Sequence, residues 1–465
     1  MYRKKKYKKN TRKNKKYKGG GNAMKFGMLF SIPRNEKEAE TQIPENIKII
    51  QKLKPNIIGL VSPSDSPGDK TLTRSRMWDF FASELQKNRL SHLVMQHFPY
   101  TSVGSIGKIT GTRVTPEILE KRLQDIKAKD IPNILALKGW EQNENYLKKN
   151  EISANQPEYL FKNVPEWIRE LRPKFEGIIA ATTYMEGHPF RRRMITEQNS
   201  REDWWAIKTE YTQTGEKFHT GILKSNLILG IKYDIEKLLA GANKIICNMI
   251  FDATLFQQYK QLFIENIPGD FTREYELIPE ISLGFSKRSF YNDTLLSSVF
   301  CPDNFQDRIW TYGMDYFKVG DKVTIIGRDE EFAVVSQRKN AYLATILKIN
   351  ENCHGLKCYD IQYIDNGNIE NNVPINRITT DEVDIEISIF WKEYMKEQVR
   401  ILKNNNNTSI YVISVDMVAA NIFIEECLKE QLLKSSTELY GYANYPKGLH
   451  VGGSYSSNFG GIYLK

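Results

Sequence analysis

Nothing in this chain of 465 residues approaches the roughly 18 to 20 consecutive apolar residues that cross a bilayer, and no apolar stretch follows the basic N-terminal run as a secretory leader would require. A membrane span and a secretion signal are therefore not expected; the reading is cytoplasmic, with a nuclear address for the basic N-terminus as the alternative. Cysteine is scarce. The five (Cys247, Cys301, Cys353, Cys358, Cys427) are an odd, scattered set with no paired framework, which suits a reducing compartment. No Gly-x-Gly-x-x-Gly follows any expected strand, which counts against an open dinucleotide-binding sheet. Among six histidines, His97 and His188 fall at expected strand ends, but no third ligand has convincing spacing, so no metal is expected.

Acidic residues are missing altogether from residues 1–22, where 11 basic residues stand. The net charge of +10 thus belongs to an arm, and the remaining 55 basic and 56 acidic residues leave the body at −1. Like-charge repulsion and the closing Gly19-Gly20-Gly21 predict a disordered arm over residues 1–23. Residues 3–18 suit contact with nucleic acid or another polyanion; the alternatives are a solubilising tail, or a start at Met24. With 40% hydrophobic and 11% aromatic residues the body can bury a sizeable core.

From Lys25 onward, short apolar runs alternate with polar helix-like segments, the pattern of a parallel sheet. Expected strands are Lys25–Ser31, Asn56–Ser62, His92–His97, Asn133–Lys138, Gly177–Thr182, Lys244–Ile250, Glu276–Ile281 and Ser409–Ser414. Expected helices include Pro44–Lys54, Arg74–Gln86, Thr115–Lys129, Glu158–Arg172, Tyr233–Ala240 and Ile385–Lys403. Eight such strands fit an α/β (β/α)₈ TIM barrel, whose chemistry sits at the C-terminal strand ends; the runner-up is an open doubly wound sheet.

Two segments break the rhythm. Phe190–Ser225 exceeds a normal βα connection, a length usual for lids and binding loops. Residues 316–380 switch to period-2 alternation, with Asp365-Asn366-Gly367 supplying turn chemistry, and read as an inserted small β-barrel. The expected organisation is an arm (1–23), barrel strands one to seven (24–315), the insert (316–380), the last helix, strand and closing helix (381–436) and a tail (437–465).

The clearest chemical constellation is Tyr184-Met185-Glu186-Gly187-His188-Pro189, directly after the fifth strand, with His97 on the same expected face. The order of the motifs then adds a resemblance. PNIIGLVSPSDSPGDKTLTRSR from Pro55, TPEILEKRLQDIKAKDIPNILALKGWE from Thr115, AATTYMEGHP from Ala180 and KLLAGANKIICNMIFDATLF from Lys237 together resemble the methylenetetrahydrofolate reductase family over Lys25 to Glu430, apart from the two insertions.

That resemblance implies an FAD-dependent barrel oxidoreductase of one-carbon metabolism. NAD(P)H would be its co-substrate, and 5,10-methylenetetrahydrofolate would be reduced to 5-methyltetrahydrofolate. It places His97, Lys138, Gly139, Trp140, Tyr184, His188 and Lys237 around FAD, and Asn248 at the folate. The family's catalytic Glu at the end of the first strand is replaced by Leu29, and its flavin-tuning Asp by Trp140, with Glu141 a substitute after a one-residue shift. Leucine cannot donate a proton, and a positioned general acid is worth about 10² to 10⁴ in rate. Hydride transfer from NAD(P)H to flavin is the half expected to persist. The competing reading is a non-catalytic adaptor that displays its appendages to protein or nucleic-acid partners. The insert resembles an SH3/Tudor-like barrel, with Tyr342 and Tyr363 as a partial aromatic cage and the other cage positions held by Ile326 and Asn366.

Overall fold

The structure is a computed structural model that describes residues 22–33, 35–60, 69–99, 116–137, 163–185, 193–194, 204–211, 217–284, 286–291, 300–328, 340–353, 356–414 and 417–436. The expected arm (1–23) falls almost entirely outside these residues, and the tail (437–465) wholly so.

The chain starts with five strands, β1 (Lys25–Phe30), β2 (Ile57–Leu60), β3 (Val94–Pro99), β4 (Asn133–Leu137) and β5 (Ile178–Thr183). Within the long connection that follows, β6 (Arg193–Met194), β7 (Trp204–Tyr211) and β8 (Lys217–Leu223) pair as an antiparallel sheet. Next come β9 (Lys244–Cys247) and β10 (Glu276–Leu283), then β11 (Lys322–Ile326), β12 (Ala341–Cys353), β13 (Leu356–Tyr363), β14 (Ile369–Pro374) and β15 (Ile378–Thr379), and last β16 (Ser409–Ser414). Strands β1 to β5, β9, β10 and β16 close an eight-stranded parallel barrel in the order β1-β16-β10-β9-β5-β4-β3-β2. All eight expected barrel strands are found, and the last, SIYVIS, pairs with both β1 and β10.

Side-chain alternation divides each strand between two cores. Phe26, Met28 and Phe30 of β1 pack outward under the helices, whereas Leu29 joins Ile57, Met95, Leu135, Ile246 and Tyr411 in the lumen. Polar groups plug the N-terminal end. Lys244 Nζ lies 2.6 Å from Glu276 Oε2, whose other oxygen accepts from Thr408 Oγ1 at 2.7 Å and Ser409 Oγ at 2.6 Å.

Helix boundaries differ from expectation where capping outranks proline. The first helix spans Glu36–Leu53 rather than starting at Pro44, because Asn35 Oδ1 accepts from Glu38 N at 2.9 Å while Asn35 Nδ2 donates to Glu38 Oε1 at 3.3 Å. The helix Asp381–Asn404 starts four residues before the expected Ile385, where Thr380 Oγ1 caps Val383 N and three acids occupy the first turn.

The insert is a five-stranded antiparallel sheet in the order β14-β13-β12-β11-β15. The first residues of this period-2 segment form a turn instead of a strand: Gly320 has φ 93°, and Asp321 Oδ2 accepts from Lys318 N at 2.8 Å, which delays β11 to Lys322. Rather than pairing, β14 and β15 are joined by the 3₁₀ turn Ile375–Arg377. Two buried cations tie this region together. Arg377 donates to Ile326 O, Gly327 O and Glu370. Lys287, just after β10, donates to Tyr312 O, Ile375 O and Ile378 O at 2.7, 2.9 and 2.9 Å.

The insert returns the chain to the barrel through the helix Asp381–Asn404. Its Trp391 donates Nε1 to Ser282 O at 3.0 Å and packs over Gly284, where a Cβ would meet the indole at 2.2 Å. Cys247, Cys301 and Cys427 are buried thiols outside any disulfide, but Cys358 is disulfide-bonded, which departs from the expected set with no paired framework. Among the described residues, no helix is long and apolar enough to cross a membrane.

Candidate active site

At the C-terminal end of the barrel, strand-end residues change from buried to half-buried, marking a mouth. Leu29 of β1, His97 of β3, Leu137 of β4, Thr182 of β5, Asn248 after β9 and Ile413 of β16 share this partial exposure. Leu29 of β1, Leu137 of β4 and Ile413 of β16 each pack on the lumen core. The position expected to have lost its acid thus presents hydrocarbon, with the Tyr411 ring and hydroxyl nearby.

His97 faces the lumen by its alternation with Met95. Its Nε2 is buried and makes no hydrogen bond with the described residues, and burial pulls the imidazole down to about 4, so it is neutral at physiological pH. A neutral ring with an unmatched nitrogen suits a ligand's polar edge. The strand beneath it is held from outside: Trp78 Nε1 donates to Gln96 Oε1 at 2.7 Å, Arg122 Nη1 to Pro99 O at 3.0 Å and Trp167 Nε1 to Phe98 O at 3.1 Å. Phe98 and Trp167 stack at 5.7 Å with 10° between their planes. Tyr184, half-buried, stands one residue beyond β5.

Lys237 is placed differently. It lies on the helix Lys224–Ala240, behind β5, with its ammonium donating to Thr182 O at 2.8 Å and Asp234 Oδ1 at 2.7 Å and sitting 4.7 Å from the Tyr233 ring centroid. Asp234 Oδ2 also accepts from Thr183 Oγ1 at 2.5 Å and Tyr259 OH at 2.8 Å. This buried network pins the end of β5 and engages the lysine fully. Lys138, Gly139, Trp140, Glu141 and His188 lie outside the described residues.

Asn248 opens the turn after β9, where its backbone N donates to Thr183 O at 2.8 Å and the next residue, Met249, takes φ 36°. That left-handed turn is strained for methionine and is held by Glu280, whose Oε1 accepts from Met249 N at 3.2 Å and whose backbone O accepts from Ile250 N at 2.7 Å.

Sequence reasoning passed over Glu280 and Tyr411, two buried polar side chains of the lumen. Burial, with Glu280 beside it, pushes the Tyr411 hydroxyl well above its usual range, so it remains a proton-bearing donor; its oxygen meets no partner among the described residues. It reaches across to Gly59, where a Cβ would fall 1.6 Å from it. The signal for Glu280 was available: a carboxylate in phase with Ile278, which faces the lumen.

On the insert, Tyr342 and Tyr363 meet at 6.0 Å between centroids and 83° between planes. The site between them is filled. The Arg328 guanidinium lies 4.1 Å from the Tyr342 centroid and 4.9 Å from that of Tyr363, and is ion-paired to Asp365.

A closed parallel eight-stranded barrel whose C-terminal mouth carries polar and aromatic side chains defines a (β/α)₈ protein. The family model for methylenetetrahydrofolate reductase matches residues 22–316, well over half of the chain, and the chain belongs to that family. The match ends just before β11. No curated protein matches the chain. A solved structure described as an uncharacterized protein from Clostridium thermocellum that binds two copies of 5-methyl-5,6,7,8-tetrahydrofolic acid is similar with a TM-score of 0.40 and 10% identity, covering 88% of this chain and 96% of that one. So distant a likeness says nothing of what this chain binds.

Proposed function

We propose that this chain is a flavin-binding barrel that accepts hydride from NAD(P)H and reduces 5,10-methylenetetrahydrofolate to 5-methyltetrahydrofolate only slowly. Family membership supports FAD as the cofactor, and the unmatched, neutral His97 Nε2 at the mouth suits the polar edge of a flat ligand. His97 and Tyr184 would hold it, with Lys138, Gly139, Trp140 and His188 carried over from the family's motifs. Lys237 is better suited to positioning: its ammonium is satisfied by Asp234 and Thr182, and it would act by fixing the end of β5 ahead of Tyr184. Bound flavin supplies hydride transfer. Asn248 would meet the folate.

The observation that carries the folate half is Leu29. It packs on the lumen core, and a substrate at that position meets a side chain that can neither donate a proton nor stabilise charge. NAD(P)H oxidation with an artificial acceptor should therefore exceed methylenetetrahydrofolate reduction by a wide margin, and Leu29→Glu should narrow it. Folate turnover at ordinary enzyme rates, roughly 1 to 10³ per second, would place the acid elsewhere, with Glu141 the first suspect.

The adaptor reading draws on the same leucine and on the insert. On that reading the barrel is a scaffold, the Tudor-like insert contacts a protein partner, and the arm over residues 3–18 contacts nucleic acid. Leu343, Ile364 and Ile369 are 60%, 50% and 58% exposed on the insert, an apolar surface suited to a partner.

A further inference from the structure

We infer that the Tyr411 hydroxyl is a substrate-binding group of the barrel, donating a hydrogen bond to a neutral acceptor atom, a ring nitrogen or a carbonyl oxygen, of a folate seated at Leu29. The inference rests on the reading of the mouth as a folate site and adds to it a contact from the strand that closes the barrel.

The strand β16 turns the ring inward. Tyr411 pairs in register with Gly27 of β1 and Glu280 of β10, and it belongs to the lumen core with Ile57 and Met95. Gly27 carries no side chain to stop it, so the ring crosses β1 and ends over Gly59 of β2. A Cβ on Gly59 would fall 1.6 Å from the hydroxyl oxygen and 3.0 Å from Leu29 Cδ1, which makes the hydroxyl a neighbour of the position that has lost its acid. Gly59 in turn pairs with Met95, the inward residue before His97. The Tyr411 hydroxyl and His97 Nε2, both buried and both without a hydrogen bond among the described residues, therefore belong to one sector of the lumen, β1 to β3.

Packing does not explain the oxygen. Tyr411 is 1% exposed, and a phenylalanine would fill the same space without the cost of a buried, unmatched hydroxyl. A polar atom kept unmatched in a lumen that opens at a mouth is one held for a ligand. Burial and the neighbouring Glu280 keep the proton on the oxygen, so what it offers is a donor. The same carboxylate disfavours an anionic acceptor, which selects a neutral one. Leu29, half-buried beside the hydroxyl, is the side chain a ligand has to move, and a change of rotamer shifts its Cδ1.

The test uses the full-length chain saturated with FAD and 5-methyltetrahydrofolate as the probe, with affinity read by isothermal titration calorimetry and stability by thermal melts. Tyr411→Phe removes the oxygen alone. It should bind the folate roughly tenfold more weakly than the wild type and melt at the same temperature or higher. Gly59→Ala, whose Cβ evicts the hydroxyl, should lose affinity as well, and the double variant should bind no worse than the weaker single one.

A phenylalanine variant that binds within about twofold of the wild type would overturn the inference and leave the folate site standing. One that melts markedly lower would make the hydroxyl a structural group and overturn it too. Additive losses in the double variant would do the same, since the two positions would then act separately. A chain that takes up FAD and binds no folate would overturn the inference together with the folate half of the proposed function. If the chain takes up no FAD, the flavin half falls, and the same comparison is made on the flavin-free chain.

Discussion

Replacing Lys287 by methionine should loosen the insert from the barrel more than any other single exchange of a described lysine. This ammonium is fully buried and has three acceptors, Tyr312 O, Ile375 O and Ile378 O, one for each of its protons. One lies in the segment leaving the barrel and two in the insert, so a single side chain stitches the two together. Methionine preserves the length but leaves three carbonyls facing a thioether. Charge-assisted bonds are worth about 1.5–3 kcal/mol each, but removing the buried ion also relieves its desolvation, so a net loss of about 3–5 kcal/mol is expected.

At a urea slope of roughly 3 kcal/mol/M, that loss moves the midpoint down by about 1 to 1.7 M. Trp310 and Trp391, buried near the same joint, report the transition by fluorescence. Burial pulls Lys287 down from 10.5 to about 7, with Asp384 pushing back. Between those pH values the unfolded chain holds a proton that the folded amine lacks, so stability falls as pH drops from about 10.5 toward 7, and all three bonds are donated together only below about 7, where the variant should be compared. The methionine variant should lack that component. A midpoint within about 0.3 M of wild type, or an unchanged pH profile, would refute the clamp.

Acid should destabilise the barrel through His92 and His97, both pulled down by burial from 6.5 to about 4. Unfolding takes up their protons, so stability is intact above pH 6.5 and lost toward pH 4, by at most about 3 kcal/mol per histidine; melting curves of His97→Gln across that window should flatten relative to wild type. Deleting residues 1–22 should abolish retention of RNA or DNA at low salt, since the remaining body carries −1, and should leave the melting temperature unchanged. Equal binding by the truncated chain would move the basic surface onto the fold.

The barrel was legible because parallel strands buried on both faces read as apolar runs whatever their partners, and Ser409–Ser414 was found as far from its neighbours in sequence as it is. Helix starts were less legible where the decisive group was a cap: Asn35 outranks Pro44 through one hydrogen bond that hydrophobic periodicity does not encode. In the insert, the opening residues alternate like a strand yet turn, because Asp321 captures Lys318 N. At the candidate site, His97 and Leu29 were visible from strand phase and motif. Lys237 was read as a ligand contact because its partners, Asp234 and the carbonyl of Thr182, converge on it only in three dimensions. Glu280 and Tyr411 were passed over for a similar reason, since a polar residue on a strand announces itself only when its phase is checked against the lumen. Arg328 shows the reverse limit. Both tyrosines were identified, but nothing local in the sequence says that the cage holds its own arginine.

The central claim is that this barrel holds a flavin at the mouth lined by His97 and Tyr184. The visible absorption spectrum of the purified full-length chain tests it most directly. The account predicts a band near roughly 450 nm, as for a flavin held for redox work, bleached on anaerobic addition of NADH or NADPH and weakened in His97→Ala at unchanged fold by circular dichroism. A colourless protein that also fails to take up added FAD in equilibrium dialysis would contradict the account and leave the barrel as a scaffold for its insert and arm.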